Sequence, residues 1–230
     1  MPLYHIHTQK RISLRLYTKR GQIRPRAIRR FSRFLRSYRT DEVHPIHWRL
    51  AVILYEVWLH FGQPQVTIFS GYRPSKVVRL KTSKHVSGEA VDFALDGISN
   101  ARLRDYLLKH WFMVGVGYYP NSYHVHLDVR KKKAFWIDYG GPGESAMYAR
   151  KPYRDLRKGL AKRGYRPSRF AKKKEQTQRK KQLARKKKTK QSPKKQRPKS
   201  PVANRAKKQK SRRRPKPKSP DPQLADATRK

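Results

Sequence analysis

The sequence predicts an α+β fold, a small antiparallel sheet carrying the functional site and packed with helices, followed by a disordered basic C-terminal tail. Three observations carry that expectation. Helical periodicity dominates the first sixty residues, alternation of period two dominates residues 66 to 129, and beyond Tyr153 the hydrophobic pattern fades into Lys/Arg/Pro low complexity.

Taken in order, Tyr4 and Ile6, then Ile12, Leu14 and Leu16, alternate on either side of a polar HTQKR break and read as a short hairpin. From Pro25 to about Ser37, Ala27, Ile28, Phe31, Phe34 and Leu35 recur at helical spacing between arginines, which gives an amphipathic helix with a basic outer face. The run from Pro45 to Phe61 is apolar on most faces and reads as the central buried helix, ended by Gly62-Gln63-Pro64. Val66, Ile68 and Ser70 form a strand leading into a turn at Gly71, and Ala90, Asp92 and Ala94 alternate with Glu89, Val91 and Phe93 in a second. Ser99 is placed to cap a helix running to about His110, and two further strands, Val114–Tyr119 and Tyr123–Val129, flank a Pro120-Asn121 turn. No internal repeat is present.

Charge divides the chain. The 230 residues hold 60 Lys and Arg against 14 Asp and Glu, a formal charge of +46. Residues 150–230 alone hold 35 Lys and Arg against 4 Asp and Glu, with too little apolar surface to offset an ordering cost of roughly 1–2 kcal/mol per residue. A foldable domain over residues 1–150 and an unfolded tail over 151–230 are expected. Such a tail binds polyanions by counterion release, and the lack of aromatic residues beyond Phe170 argues against base stacking. There is no cysteine, so disulfides and thiolate metal sites are excluded and any zinc must be held by His and carboxylate. The N-terminus lacks the apolar core of a signal peptide, and no stretch approaches a membrane span.

The chemistry concentrates in two runs, SGYRPSKVVRLKTSKHVSGEAVDFALDG and GVGYYPNSYHVHLDV. His85 and Asp92 are separated by a turn containing Ser87-Gly88, which lets a loop imidazole and a strand carboxylate converge. His124 and His126 are two apart on a strand and share a face, so that one can bind metal while the other faces substrate. Two His and one carboxylate make a three-ligand zinc site with an open fourth position, the arrangement of a catalytic metal. The other H-x-H pair, His5-Ile6-His7, has no Asp or Gly-rich turn near it and reads as structural. His44, His47, His60 and His110 read as capping or packing residues.

Ser83, His85, Gly88, Ala90 and Asp92 form S-x-H-x-x-G-x-A-x-D, which resembles the metal-binding motif of the lysostaphin / D-Ala-D-Ala metallopeptidase / hedgehog superfamily. Ser70–Arg73 (SGYR), Gly115–Asp128 (GVGYYP…HxD) and RSYRTDEVHPIHWRL are similar to its murein endopeptidase K-like branch, over roughly residues 5–140. The resemblance implies zinc bound by His85, Asp92 and His126, the last because the family's ligand stands two residues before an Asp, here Asp128. It implies hydrolysis of peptide cross-links in peptidoglycan, with His124 as general base and Arg73 pairing with a substrate carboxylate or the developing oxyanion. Tyr118, Tyr119 and Tyr123 are candidates to line the substrate pocket, set against plain packing on half-buried strands. An aromatic residue stands more often near position 124 in this branch, and the loop from Pro74 to Ser83 lacks an Asn often found there. The resemblance implies a periplasmic or cell-envelope location. The N-terminus and the basic tail favour the alternative of an inactive peptidase-like domain whose tail binds nucleic acid or anionic envelope polymers, and they leave a cytoplasmic location open, whereas the intact set of His85, Asp92 and His126 favours the enzyme.

Overall fold

The hairpin forms as β1 (Pro2–His5) and β2 (Arg11–Ser13), paired antiparallel. Its core-facing residues are Leu3 and His5, both buried, and not Tyr4 and Ile6 as the alternation suggested. The cause is tertiary, because β1 also pairs in parallel with β3 (Val66–Ser70), setting Leu3 opposite Val66 and His5 opposite Ile68. The computed structural model describes residues 1–78, 80–168 and 180–184, so most of the expected tail lies outside the described residues.

The helices follow the sequence pattern. α1 (Pro25–Phe34) begins with Pro at its first turn, where the missing N–H costs nothing, and buries Ala27, Phe31 and Phe34. α2 (Trp48–His60) is capped by the His47 ring, which accepts from the Arg49 amide at 3.2 Å. α3 (Asn100–His110) is capped by the Ser99 hydroxyl. His44 stacks on Tyr72, and His60 and His110 stack on Tyr106, in keeping with packing roles.

Seven strands form one mixed sheet in the order β2-β1-β3-β4-β6-β5-β7, where β4 is Ala90–Leu95, β5 Val114–Tyr118, β6 Val125–Val129 and β7 Ala134–Ile137. The α+β class stands, but the sheet is larger than expected and not wholly antiparallel. β1 and β3 pair in parallel, as do β5 and β7. β7 went unforeseen because its lead-in, Lys131-Lys132-Lys133, carries no apolar alternation.

Helices α2 and α3 lie against β4 and β6, and α3 also covers β5. Val91, Phe93 and Leu95 of β4 and Val125, Leu127 and Val129 of β6 point into that core. The intervening residues, Asp92 on β4 with His126 and Asp128 on β6, therefore emerge on the opposite face. A second, smaller cluster gathers Tyr118, Ile137 and Tyr139 with Leu156, Ala161 and Tyr165, and the Tyr139 hydroxyl donates to the buried Asp155 of α4 (Pro152–Arg157) at 3.1 Å. Packed residues thus continue past position 150 to Tyr165.

Candidate metal centre

A bulge makes the site. Along β3 and β4, Ile68 lies opposite Phe93 but Ser70 lies opposite Asp92, so one extra residue, Phe69, is inserted. The insertion reverses the parity of β3 and carries Ser70 out of the core face to the side where Asp92 stands. Across the sheet, Ser70, Asp92, His126, Gly117 and Trp136 are then successive register partners. A row of this kind sets neighbouring side chains roughly 5 Å apart, so Asp92 and His126 meet without any loop having to deliver them.

His85 arrives from the turn before β4. Its Nδ1 donates to the Gly71 carbonyl at 2.7 Å, and since a carbonyl only accepts, Nε2 is left with its lone pair. That Nε2 lies 3.1 Å from His126 Nδ1 and 3.3 Å from Asp92 Oδ2. His126 uses its other nitrogen, Nε2, on Asp128 Oδ2 at 3.0 Å, while its Nδ1 lies 2.8 Å from Asp92 Oδ1. His85, Asp92 and His126 thus each aim one donor atom at a common point, all within 4.8 Å of one another, and all three residues are buried. Two imidazoles oriented by outer partners beside a carboxylate are a donor set that fits a zinc ion.

The electrostatics follow from burial and partners. Burial lowers the His85 imidazole despite the attraction of Asp92. Burial also opposes charge on His126, but its hydrogen bonds to Asp128 and Asp92 outweigh that and hold it above the ordinary histidine value. Burial would raise the carboxyl of Asp92, yet His85, Arg73 and His126 hold it well below the usual range. Asp128 is likewise held down to about 2, against burial, by His126 and Arg130. Arg130 reaches it through Nε at 2.5 Å and through Nη2, and stands two residues away on the same side.

Two glycines make room for this arrangement. A Cβ on Gly115 would lie 2.4 Å from Asp128 Oδ2, and one on Gly117 would lie 2.7 Å from the Trp136 ring. The absence of both lets Asp128 turn toward Arg130 and lets the Trp136 ring come within 5.0 Å of His126. The spaced glycines of GVG were the sequence signal for a large neighbour, although nothing in the sequence said that it would be Trp136.

The remaining expected residues are distributed around two adjoining cavities. The larger, about 720 Å³, is lined by His85 and His126 together with Arg39, Lys84, Arg130 and Trp136. The smaller, about 350 Å³, is lined by Asp92, Ser70, His124, His7, Asp138 and Glu144. Tyr38, Arg73 and Tyr119 border both. Arg73 gives Nη2 to Asp92 at 2.6 Å, an ion pair that residue spacing did not foretell, while its Nε has no hydrogen-bond partner among the described residues. His124 sits just before β6, its ring near Phe69 and Tyr119, and burial lowers its imidazole. The Tyr119 hydroxyl accepts from Trp136 Nε1 at 3.3 Å, and burial raises its phenol. Tyr118 instead belongs to the second apolar cluster and Tyr123 is exposed. His7, read as structural, borders the smaller cavity and stacks on Tyr38 at 4.1 Å.

The family described as Peptidoglycan L,D-endopeptidase MepK matches residues 1–135 of this chain. The chain is 32% identical to the Peptidoglycan L,D-endopeptidase MepK of Escherichia coli (strain K12) over 139 residues, covering 56% of this chain and 75% of that protein. It is 26% identical to the Probable peptidoglycan L,D-endopeptidase MepK of Haemophilus influenzae over 135 residues, covering 54% and 72%. No solved structure matches it. With its two motif runs and His85, Asp92, His126 and Asp128 all inside the matched span, this chain belongs to the MepK family of peptidoglycan L,D-endopeptidases.

Proposed function

We propose that the protein is a zinc-dependent peptidase that hydrolyses peptide cross-links of bacterial peptidoglycan, between an L- and a D-centre as the names of its relatives describe for them. The observation that carries this reading is the convergence of His85, Asp92 and His126 in one buried group, each imidazole already oriented by a partner on its other nitrogen. Zinc held there supplies Lewis acidity for amide hydrolysis.

The protein's own groups do the rest. Gly71 O and Asp128 keep each imidazole turned with one nitrogen toward the common point. Arg73, bordering both cavities, holds a substrate carboxylate or the oxyanion of the reacting amide with the nitrogens that Asp92 does not use. His124, on the cavity that contains Asp92, takes the proton from the attacking water at a ring nitrogen. Tyr119 and Trp136, joined by their hydrogen bond, wall the substrate cleft. The working site is in the cell envelope, where the substrate lies. No helix among the described residues is long and apolar enough to cross a membrane. The basic C-terminal segment tethers the enzyme to polyanions, and because packed residues reach Tyr165, truncation after residue 168 should preserve melting behaviour that truncation after residue 150 loses.

The deciding experiment measures zinc content and cleavage of cross-linked muropeptides on the same purified samples of wild type and Asp92→Ala. About one zinc per chain, with cleavage by the wild type alone, is the expected result. Stoichiometric zinc without cleavage of any cross-linked muropeptide would favour the inactive, polyanion-binding reading. Absence of zinc would overturn the ligand assignment.

A further inference from the structure

We propose that the outer face of α1, together with the adjoining β2 edge of the sheet, is a docking surface for the phosphodiester backbone of duplex nucleic acid. Through Thr40 the chain carries 12 Lys and Arg and no Asp or Glu. Six of these lie on or beside α1 and the adjoining strand: Arg24 at the N-cap and Arg26, Arg29, Arg30 and Arg33 on α1 are exposed, and Arg11 is exposed on β2. Among the described residues none of these six has a carboxylate partner, whereas Arg36, just beyond the helix, is paired with Asp41 at 2.5 Å. Arg30 donates to the Ser13 carbonyl at 3.2 Å, which joins the helix face to the end of β2.

The helix bears this charge against its own interest. Its first turn holds no acidic residue and, among the described residues, its N-cap side chain makes no capping hydrogen bond, while Arg26 stands at the end where the helix dipole is already positive. Arg26, Arg29, Arg30 and Arg33 are also like charges three or four residues apart, an unfavourable spacing. Local rules broken without compensation inside the domain point to a compensating partner outside it.

The chemistry of the face selects that partner. The apolar side of α1 is spent on the core through Ala27, Phe31 and Phe34, and no large hydrophobic residue between Thr8 and Glu42 is exposed. The face therefore has nothing to insert into a bilayer and no exposed aromatic ring to stack on bases. It offers a rigid row of guanidinium forks, which match phosphate oxygens. From Arg26 to Arg33 the row runs roughly 10 Å along the helix axis. Duplex nucleic acid presents a phosphate about every 3.4 Å per strand, so the row faces about three on one strand and meets the partner with the densest charge. β2 lies three strands away from β4, roughly 14 Å, and no residue of α1 lines either cavity, so docking leaves the cleft open.

The test uses the full chain and a fluorescent 30-base-pair duplex, with affinity measured across a salt series. The variant Arg26→Gln/Arg29→Gln/Arg30→Gln/Arg33→Gln should bind at least tenfold more weakly at moderate salt, and the slope of log affinity against log salt should flatten by about 2 to 4, near 0.9 for each phosphate no longer neutralised. A variant with Lys109, Lys131, Lys132 and Lys133 changed to Gln controls for net charge and should keep the wild-type slope. A slope unchanged in the α1 variant, or flattened equally in both, would overturn the proposal. A greater loss of binding to anionic phospholipid vesicles than to the duplex would also overturn it, in favour of a membrane partner. If the α1 variant melts early, arginine-modification footprinting of the wild-type complex decides: protection of the α1 arginines supports the surface, and their full reactivity refutes it.

Discussion

The chain contains two H-x-H pairs, and the fold treats them in opposite ways. His126 is buried with both ring nitrogens engaged, one by Asp128 and one facing Asp92 and His85, and its neighbouring carboxylates hold its pKa up. His5 is buried as completely, but among the described residues neither of its nitrogens has a hydrogen-bond partner, and burial followed by the nearby His7 and Arg36 lowers it to about 4. Their companions, His124 and His7, meet on the smaller cavity. Spacing alone does not make a ligand. What separates the pairs is the strand beside each: β4 sets Asp92 opposite His126, whereas β3 sets Ile68 opposite His5.

The largest effect that sharpens this contrast comes from His126→Ala. It should eliminate both stoichiometric metal and turnover, while His7→Ala leaves the metal in place, as metal analysis and a muropeptide assay can read. Equal metal loss in both variants would erase the distinction. Next, His124→Ala should lower kcat by roughly 10²–10⁴-fold with metal retained, the range for losing a general base. If the His124 variant instead loses metal, the two residues of the pair share a role that is here divided.

A smaller change is expected from Asp128→Asn, which keeps the shape but withdraws the charge behind His126. Metal affinity should fall by about 10–100-fold, measured by competition with a chelator. The Gly71 carbonyl, which orients His85, cannot be removed by a side-chain change, so this test isolates one of the two supports.

A further effect, on stability rather than on metal binding, is a pH dependence carried by His5. Its folded-state pKa, about 4, lies below the ordinary histidine value of 6.5. Between these values the unfolded chain binds more protons than the folded one, so stability present above pH 6.5 declines as pH falls and levels off below pH 4. The full loss is about 3 kcal/mol. In His5→Phe the unfolding midpoint should vary less across that window, and an unchanged slope would place the acid sensitivity elsewhere.

Much of the candidate site was legible because its residues stand close in sequence within recognisable runs. His85 and Asp92 bracket one turn, and His126 and Asp128 share one strand. Asp92, His126 and Asp128 needed only period two to be placed on one face. What escaped depended on contacts between distant segments. The loop after α1 brings Tyr38 and Arg39 to the cleft, β7 brings Trp136 over Gly117, and the turn after β1 brings His7 to the smaller cavity. Each is remote from the motif runs, and a short strand behind three lysines, or an exposed turn, carries no periodicity to announce it.

By itself, the sequence determined the α+β class, the three main helices and the strands that carry Asp92 and His126, since local periodicity and residue type suffice for these, while the choice of His85, Asp92 and His126 as the candidate ligand set came from the family resemblance of their motifs. Only the tertiary structure decided the mixed seven-stranded sheet, the bulge at Phe69 that turns Ser70 toward Asp92, and the inward face of β1. Each of these depends on which strand lies alongside, and strand pairing is set by burial across the whole domain, which no single segment encodes.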